Sequence, residues 1–101
     1  MILEVAPLSV KVGREAEFEA AFEIAQKIIS LMQGYISHEL RRCLERRHEY
    51  LLLVQWQTLE DHEIGFRKSP QYQEWKALLH HFYEPFPTVS HYESIERKDW
   101  L

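Results

Sequence analysis

One histidine stands in a strand-like segment where packing alone would favour a hydrocarbon. His38 shares its predicted strand face with Ile36 and Leu40, so its imidazole should project from a largely apolar surface. Because an imidazole titrates near neutral pH, His38 is the leading candidate for a general base or an anion partner. The alternative is a hydrogen-bonded histidine in the core or at a subunit interface.

Other side chains could help to bind a small aromatic molecule. Arg42 follows on the face of His38 and could hold a phenolate, or it could extend to solvent or pair with an acid. Three aromatic residues could wall a flat substrate or simply belong to the core, namely Trp56, Tyr72 and Trp75. His91, in the last predicted strand, faces either the pocket or a partner subunit.

Several kinds of site lack their sequence signatures. The adjacent His80 and His81 would project about 100° apart from a helix, and no His-Glu-x-x-His spacing occurs, so we expect no metal site. Cys43 is the only cysteine and no serine is framed by glycines, which argues against a catalytic nucleophile. With 3 glycines and no glycine-rich loop, we expect no bound flavin, nicotinamide or other cofactor.

The composition predicts one globular domain. The chain has 101 residues, 46% of them hydrophobic and 28% charged, and we take residues 2–95 as the core and 96–101 as a tail. A net charge of -4 with scattered basic residues does not favour nucleic acid as a partner. No apolar run is long enough for a membrane span, no signal peptide is evident, and the lone cysteine suits a reducing compartment, so we expect a cytoplasmic protein.

The hydrophobic periodicity predicts strands at residues 2–12, 35–45, 49–57 and 88–95. Helices are predicted at residues 14–32, at 58–68, and from Pro70 to a point before Pro85. The order β-α-β-β-α-β is that of an α+β ferredoxin-like fold with a four-stranded antiparallel sheet. Pro7 predicts either a bulge or a stretch of the first strand with no neighbour on its N–H side. Both faces of the third strand are largely apolar, so helices should cover one face and a partner subunit the other.

Four segments form a specific combination within this pattern. They are residues 34–41, residues 52–62, Ser69 to Tyr72 with Trp75, and Val89 to Tyr92. Over residues 2–95 the chain thereby resembles the antibiotic biosynthesis monooxygenase (ABM) family. The resemblance implies a homodimer whose sheets pack face to face as a dimeric α+β barrel, with a cavity in each subunit between its sheet and helices.

The resemblance also implies a reaction. Similar proteins include monooxygenases that oxidise quinols or polycyclic phenols with O2 and no cofactor. In such a pocket a phenol binds as its anion, away from water, and passes an electron to O2. On this hypothesis His38 is the base, and the residues around the substrate are Arg42, Trp56, Tyr72, Trp75 and His91.

Two other functions compete with this hypothesis. The chain could be a non-catalytic dimeric module that binds a small hydrophobic ligand or serves as a scaffold. Haem-degrading relatives use an asparagine in the first strand, a tryptophan in the short helix and a histidine in the next helix. Ala6, Phe66 and Trp75 fall at those positions, so haem binding would have to use His80 or His81.

Overall fold

The computed structural model describes residues 1–96, and the predicted tail from residue 97 onward lies outside them. The strands are β1 (Ile2–Ser9), β2 (Tyr35–Arg42), β3 (Glu49–Trp56) and β4 (Ser90–Tyr92). The helices are α1 (Glu15–Ile29), a π-helical turn (Asp61–Phe66), α2 (Pro70–Leu79) and a 3-10 turn (His80–Phe82). Within the described residues no helix is long and apolar enough to span a membrane.

The four strands form one antiparallel sheet in the order β2-β3-β1-β4. The two helices pack against each other over one face of this sheet. Side chains that alternate along the central strands point into this core, as Ala6, Leu8, Leu52, Val54 and Trp56 do. The predicted ferredoxin-like fold is confirmed.

Pro7 lies where β1 has no strand on its N–H side. β1 pairs with β3 in continuous register from Ile2 to Ser9, but it pairs with β4 only from Leu3 to Val5. The N–H of Val10 donates to the His48 carbonyl on the β3 side, so the odd-numbered residues of β1 direct their N–H groups to the other side. The nitrogen of Pro7 therefore points past the end of β4, and no bulge is needed.

The predicted faces of β2 were wrong at its start. A bulge between Tyr35 and Ser37 makes Ile36 an extra residue, which is 41% exposed. Tyr35 consequently shares the helix-covered face with His38, to which its hydroxyl is hydrogen-bonded. β4 is also shorter than predicted, because only Ser90–Tyr92 pairs with β1.

Two helix boundaries follow the expected chemistry. Ser69 caps α2 by accepting a hydrogen bond from the Tyr72 N–H at 3.1 Å, with Pro70 in the first turn. α1 ends at Ile29, earlier than predicted, and Gly34 then reverses the chain with φ +84°. A Cβ at Gly34 would lie 2.2 Å from Cγ of Asp61, so only glycine fits there.

Candidate functional site

A cavity of about 410 Å³ lies between the sheet and the elements that cover it. Side chains of β1, β3, the π-helical turn and α2 line it together with the segment before β4. Its polar lining consists of Glu4, His62, Arg67, Tyr72, His80 and Tyr83. Aromatic walls around a few polar groups are typical of a site for a small organic ligand.

Glu4 reaches this cavity because of the alternation of β1. It is in phase with Ala6 and Leu8, so its carboxylate points to the helix-covered face and the residue is only 5% exposed. Its Oε1 accepts a hydrogen bond of 2.9 Å from Nε1 of Trp56, which is fully buried on β3. The indole thus holds one oxygen of a buried carboxylate in place.

His62 connects Glu4 to the last strand. Its Nε2 lies 3.3 Å from Oε1 of Glu4, and its Nδ1 lies 2.7 Å from Nε2 of His91. Trp56 stacks on the His62 ring at a centroid distance of 5.3 Å, which fixes the plane of the imidazole. His91 approaches because it pairs with Glu4 across β1 and β4.

The connected groups continue to the surface. Nδ1 of His91 lies 3.8 Å from Oε1 of Glu63. Glu63 follows His62 in the sequence and belongs to the same π-helical turn. We refer to Glu4, His62, His91 and Glu63 as the acid–histidine chain. It joins a carboxylate on the cavity wall to a carboxylate at the protein surface.

Burial changes the titration of this chain. Burial raises the pKa of Glu4, although the Trp56 hydrogen bond and the positive charge of Arg67 oppose the rise. Burial lowers the pKa of His62 to about 3, and the charges of Arg67 and His91 act in the same direction. The pKa of His91 is lowered by burial and by Arg67, while Glu63 opposes the shift. Both imidazoles are therefore neutral at pH 7, and Glu4 is a stronger base than an exposed carboxylate.

The second oxygen of Glu4 is available to a ligand. Trp56 and His62 both approach Oε1, and Oε2 has no hydrogen-bond partner among residues 1–96. Oε1 is thus the oxygen that Trp56 and His62 occupy, which leaves Oε2 for a ligand. The space next to Glu4 is the cavity.

His38 and Arg42 lie in a different place. They line an open groove of about 360 Å³ between α1 and β2, and they do not line the cavity of Glu4. Both ring nitrogens of His38 have partners, with Nδ1 2.5 Å from the Tyr35 hydroxyl and Nε2 3.0 Å from Oε1 of Gln26. Burial lowers the pKa of His38. These two hydrogen bonds fix the orientation of the imidazole.

Arg42 is also engaged by neighbouring groups. Its guanidinium lies 3.4 Å from a Glu19 carboxylate oxygen, donates to the Arg47 carbonyl at 2.6 Å, and sits 5.5 Å from the centre of the Tyr50 ring. The ion pair, the hydrogen bond and the ring contact together hold Arg42 at the end of β2.

The other predicted residues belong to the cavity region. Tyr72 and Trp75 line the cavity itself. Trp56 lies beneath His62, fully buried and not in the cavity wall, and His91 contacts His62 from β4. The structure therefore brings four of the six predicted site residues to one region and leaves His38 and Arg42 outside it.

Sequence reasoning missed Glu4 and His62. Glu4 interrupts the apolar face of Ala6 and Leu8, which is the same signal that selected His38, so it could have been found. His62 gave no such signal, because a π-helical turn of six residues is too short to show a helical period.

The cavity does not fit haem degradation. The positions of the asparagine, tryptophan and histidine of the haem-degrading relatives are occupied by Ala6, Phe66 and Trp75, which line the cavity and supply neither an amide nor an imidazole. His80 also faces the cavity, whereas His81 is exposed. In the part of the chain that the structure describes, no three His, Cys, Asp or Glu residues are grouped to hold a metal ion.

The chain is similar to several known proteins. The family model for antibiotic biosynthesis monooxygenases matches residues 1–78. The uncharacterized protein YczJ of Bacillus subtilis (strain 168) is 60% identical over 95 residues, covering 94% of this chain and 100% of YczJ.

Solved structures show the same likeness. A Bordetella bronchiseptica protein classed with the antibiotic biosynthesis monooxygenases superposes with a TM-score of 0.89 at 34% identity, covering 94% of this chain and 97% of that one. SnoaB, a cofactor-independent oxygenase from Streptomyces nogalater, superposes with a TM-score of 0.74 over 96% of this chain and 95% of its own. At 18% identity, the second likeness shows a common fold.

Proposed function

The chain belongs to the antibiotic biosynthesis monooxygenase family, and we propose that it is a cofactor-independent monooxygenase that oxidises a small quinol or phenolic aromatic with O2. One observation carries the proposal. A buried carboxylate, Glu4, stands on the wall of an aromatic cavity and is held there by Trp56 and His62. A buried carboxylate of raised pKa is the kind of base that ionisation of a phenol requires.

The proposed reaction uses the substrate as its own source of electrons. Oε2 of Glu4 removes one proton from the ring methylene group of a phenol in its keto tautomer, which gives the phenolate anion, and this anion passes an electron to O2. The resulting radical and superoxide form a C–O bond, and protonation gives a hydroperoxide. Loss of the remaining C–H proton with cleavage of the O–O bond leaves a carbonyl and water. One methylene group and one O2 molecule thus become one carbonyl group and one water molecule.

Four residues in and behind the cavity wall have roles in this proposal. Tyr72 and Trp75 provide walls for a flat ring, and Trp56 positions Glu4. The guanidinium of Arg67 is a permanent positive charge in the lining, and it favours the anion of a bound phenol. The role of His38 as base, with Arg42 as anion partner, stays a separate prediction at the other groove.

We also propose that the chain is a homodimer. The sheet face opposite the helices carries Leu3, Val5, Leu51 and Leu53, all half-buried in the single chain. An apolar sheet face needs a cover, and a second copy supplies the same surface by two-fold symmetry.

Oxygen uptake by the metal-free protein tests the proposed reaction. A panel of quinols, catechols and polycyclic phenols is assayed with autoxidation subtracted. Glu4→Gln keeps the shape and an acceptor for Trp56 but removes the base, so kcat should fall by about 10²–10⁴-fold. The exposed Glu60→Gln should leave kcat unchanged.

The outcomes separate the candidates. His38→Ala should lower stability and leave kcat within about two-fold, whereas loss of uptake in His38→Ala but not in Glu4→Gln would move the base to His38. Uptake no faster than autoxidation across the panel would refute the monooxygenase and favour a ligand-binding or scaffold domain. A Soret band on titration with haemin would instead support haem binding through His80 or His81.

A further inference from the structure

We infer that His62, His91 and Glu63 form a proton relay between Glu4 in the cavity and solvent. This inference rests on the proposed function, because it concerns the proton that Glu4 removes from the substrate. A base must lose its proton before it can act again, and Glu4, at 5% exposure, has little direct contact with solvent through which to lose it.

The two outer side chains of the acid–histidine chain are more exposed than the two inner ones. The side chains of Glu4 and His62 are 7% and 4% exposed, that of His91 is 17% exposed and that of Glu63 is 45% exposed. The distances between successive nitrogen and oxygen atoms are 3.3, 2.7 and 3.8 Å. The contact between His62 and His91 is a hydrogen bond, the contact between His62 and Glu4 is a close approach, and the outermost contact joins groups that solvent already reaches.

The two ring nitrogens of each imidazole lie on opposite sides of the path. His62 turns Nε2 to Glu4 and Nδ1 to His91, and His91 turns Nε2 inward and Nδ1 to Glu63. Rotation of the Glu4 carboxyl group turns its protonated oxygen towards Nε2 of His62, and the proton that then arrives at Nε2 releases the proton on Nδ1 to His91. His91 in turn releases its Nδ1 proton to Glu63 or water, so each imidazole ends in its other neutral tautomer and no net charge remains inside.

The neighbouring charges favour transfer over storage. Arg67 stands near the chain as a fixed positive charge, and it acts with burial to lower the pKa of both His62 and His91. Glu4 on β1 and Glu63 on the π-helical turn are the acids at the two ends. A protonated His62 is therefore short-lived. The same chain, followed inward from solvent, delivers the proton that converts the peroxide anion into the hydroperoxide.

Chemical rescue tests the relay in the working enzyme. The substrate is the panel compound for which wild-type protein gives the highest kcat/KM. We expect His91→Ala to lower kcat at least about 10-fold with KM unchanged. Added imidazole should restore kcat in this variant in a saturable way and should not affect wild type. His48→Ala, at a histidine outside the cavity, should behave as wild type.

A measurement without substrate tests the path independently. In protein labelled with ¹⁵N-histidine, NMR should show the ring N–H of His62 exchanging with solvent at least about 10-fold more slowly in His91→Phe than in wild type. Full kcat in His91→Ala with no effect of imidazole, or unchanged exchange of the His62 ring proton, would overturn the relay. An inactive wild type with slowed exchange would refute the monooxygenase and retain the proton path.

Discussion

Acidification from pH 7.5 to pH 5.0 should destabilise the protein through His62. The unfolded side chain has a pKa of 6.5, whereas burial lowers that of the folded side chain to about 3. The stability that neutral His62 contributes is fully present above pH 6.5. It is lost as the pH falls below 6.5, because only the unfolded state then binds the proton, and the loss continues until the pH approaches 3.

The size of the effect follows from the same pKa values. At pH 5.0 the solution is 1.5 units below the unfolded pKa of 6.5, and each unit corresponds to about 1.4 kcal/mol, so the loss is about 2 kcal/mol. Glu4 acts in the opposite direction, because its raised pKa lets the folded state bind a proton before the unfolded state does. Comparison with His62→Gln isolates the histidine, since Glu4 is present in both proteins.

Urea denaturation followed by tryptophan fluorescence measures the difference. Wild type and His62→Gln are unfolded at pH 7.5 and pH 5.0, at one protein concentration and one ionic strength. The free energy of unfolding of wild type should fall by about 2 kcal/mol more than that of the variant. Repeating the pair in a Glu4→Gln background should give a similar difference, because burial, Arg67 and His91 cause the His62 shift.

A small difference would refute this reasoning. If the two proteins lost the same free energy within about 0.5 kcal/mol, His62 would be able to hold a proton in the folded state. The site would then be wetter than its 3% exposure indicates, and His62 could store the proton that the proposed relay only transfers.

Further predictions concern the scaffold. Both Gly13 and Gly34 have positive φ, so Gly13→Ala should lower the free energy of unfolding by about 1–2 kcal/mol. Gly34→Ala should lower it at least twice as much, because only Gly34 also faces Asp61. Equal losses in urea denaturation would contradict this. Ser69→Ala removes the cap of α2 and should cost about 1 kcal/mol, and an unchanged denaturation midpoint would count against the cap. Leu53→Glu on the open sheet face should convert the proposed dimer into monomers in light scattering, and a variant that stays dimeric would place the interface elsewhere.

The fold was predictable because its signals are local and repeated. The period-two alternation determines β3, and the serine and proline at the start of α2 determine where that helix begins. Both elements lie where the sequence indicated. The bulge at Ile36 was not predictable, since the alternation Tyr35-Ile36-Ser37 reads equally well in an unbroken strand. The short β4 depends on its pairing with β1, which no local pattern of residues 88–95 reveals.

The candidate site was only partly predictable, because it depends on contacts between distant segments. Tyr72 and Trp75 were predicted to be walls because they are aromatic, and both line the cavity. His38 does not join them, because it lies in the groove between α1 and β2. Trp56 was expected to be a wall, yet its stacking on His62 makes it a support for the ring behind the wall. These outcomes require the three-dimensional packing of residues far apart in the sequence.

The position of His91 separates the proposed base from the proposed relay. Glu4, Trp56 and His62 all fall within residues 1–78, which the family model covers, whereas His91 lies beyond them on β4. The cross-strand pair of Glu4 and His91 is one of only three pairs between β1 and β4, so a small shift of β4 would break the path and leave the base in place. A change on β4 that breaks the path should therefore lower kcat and make it depend on added imidazole, while the base stays in place.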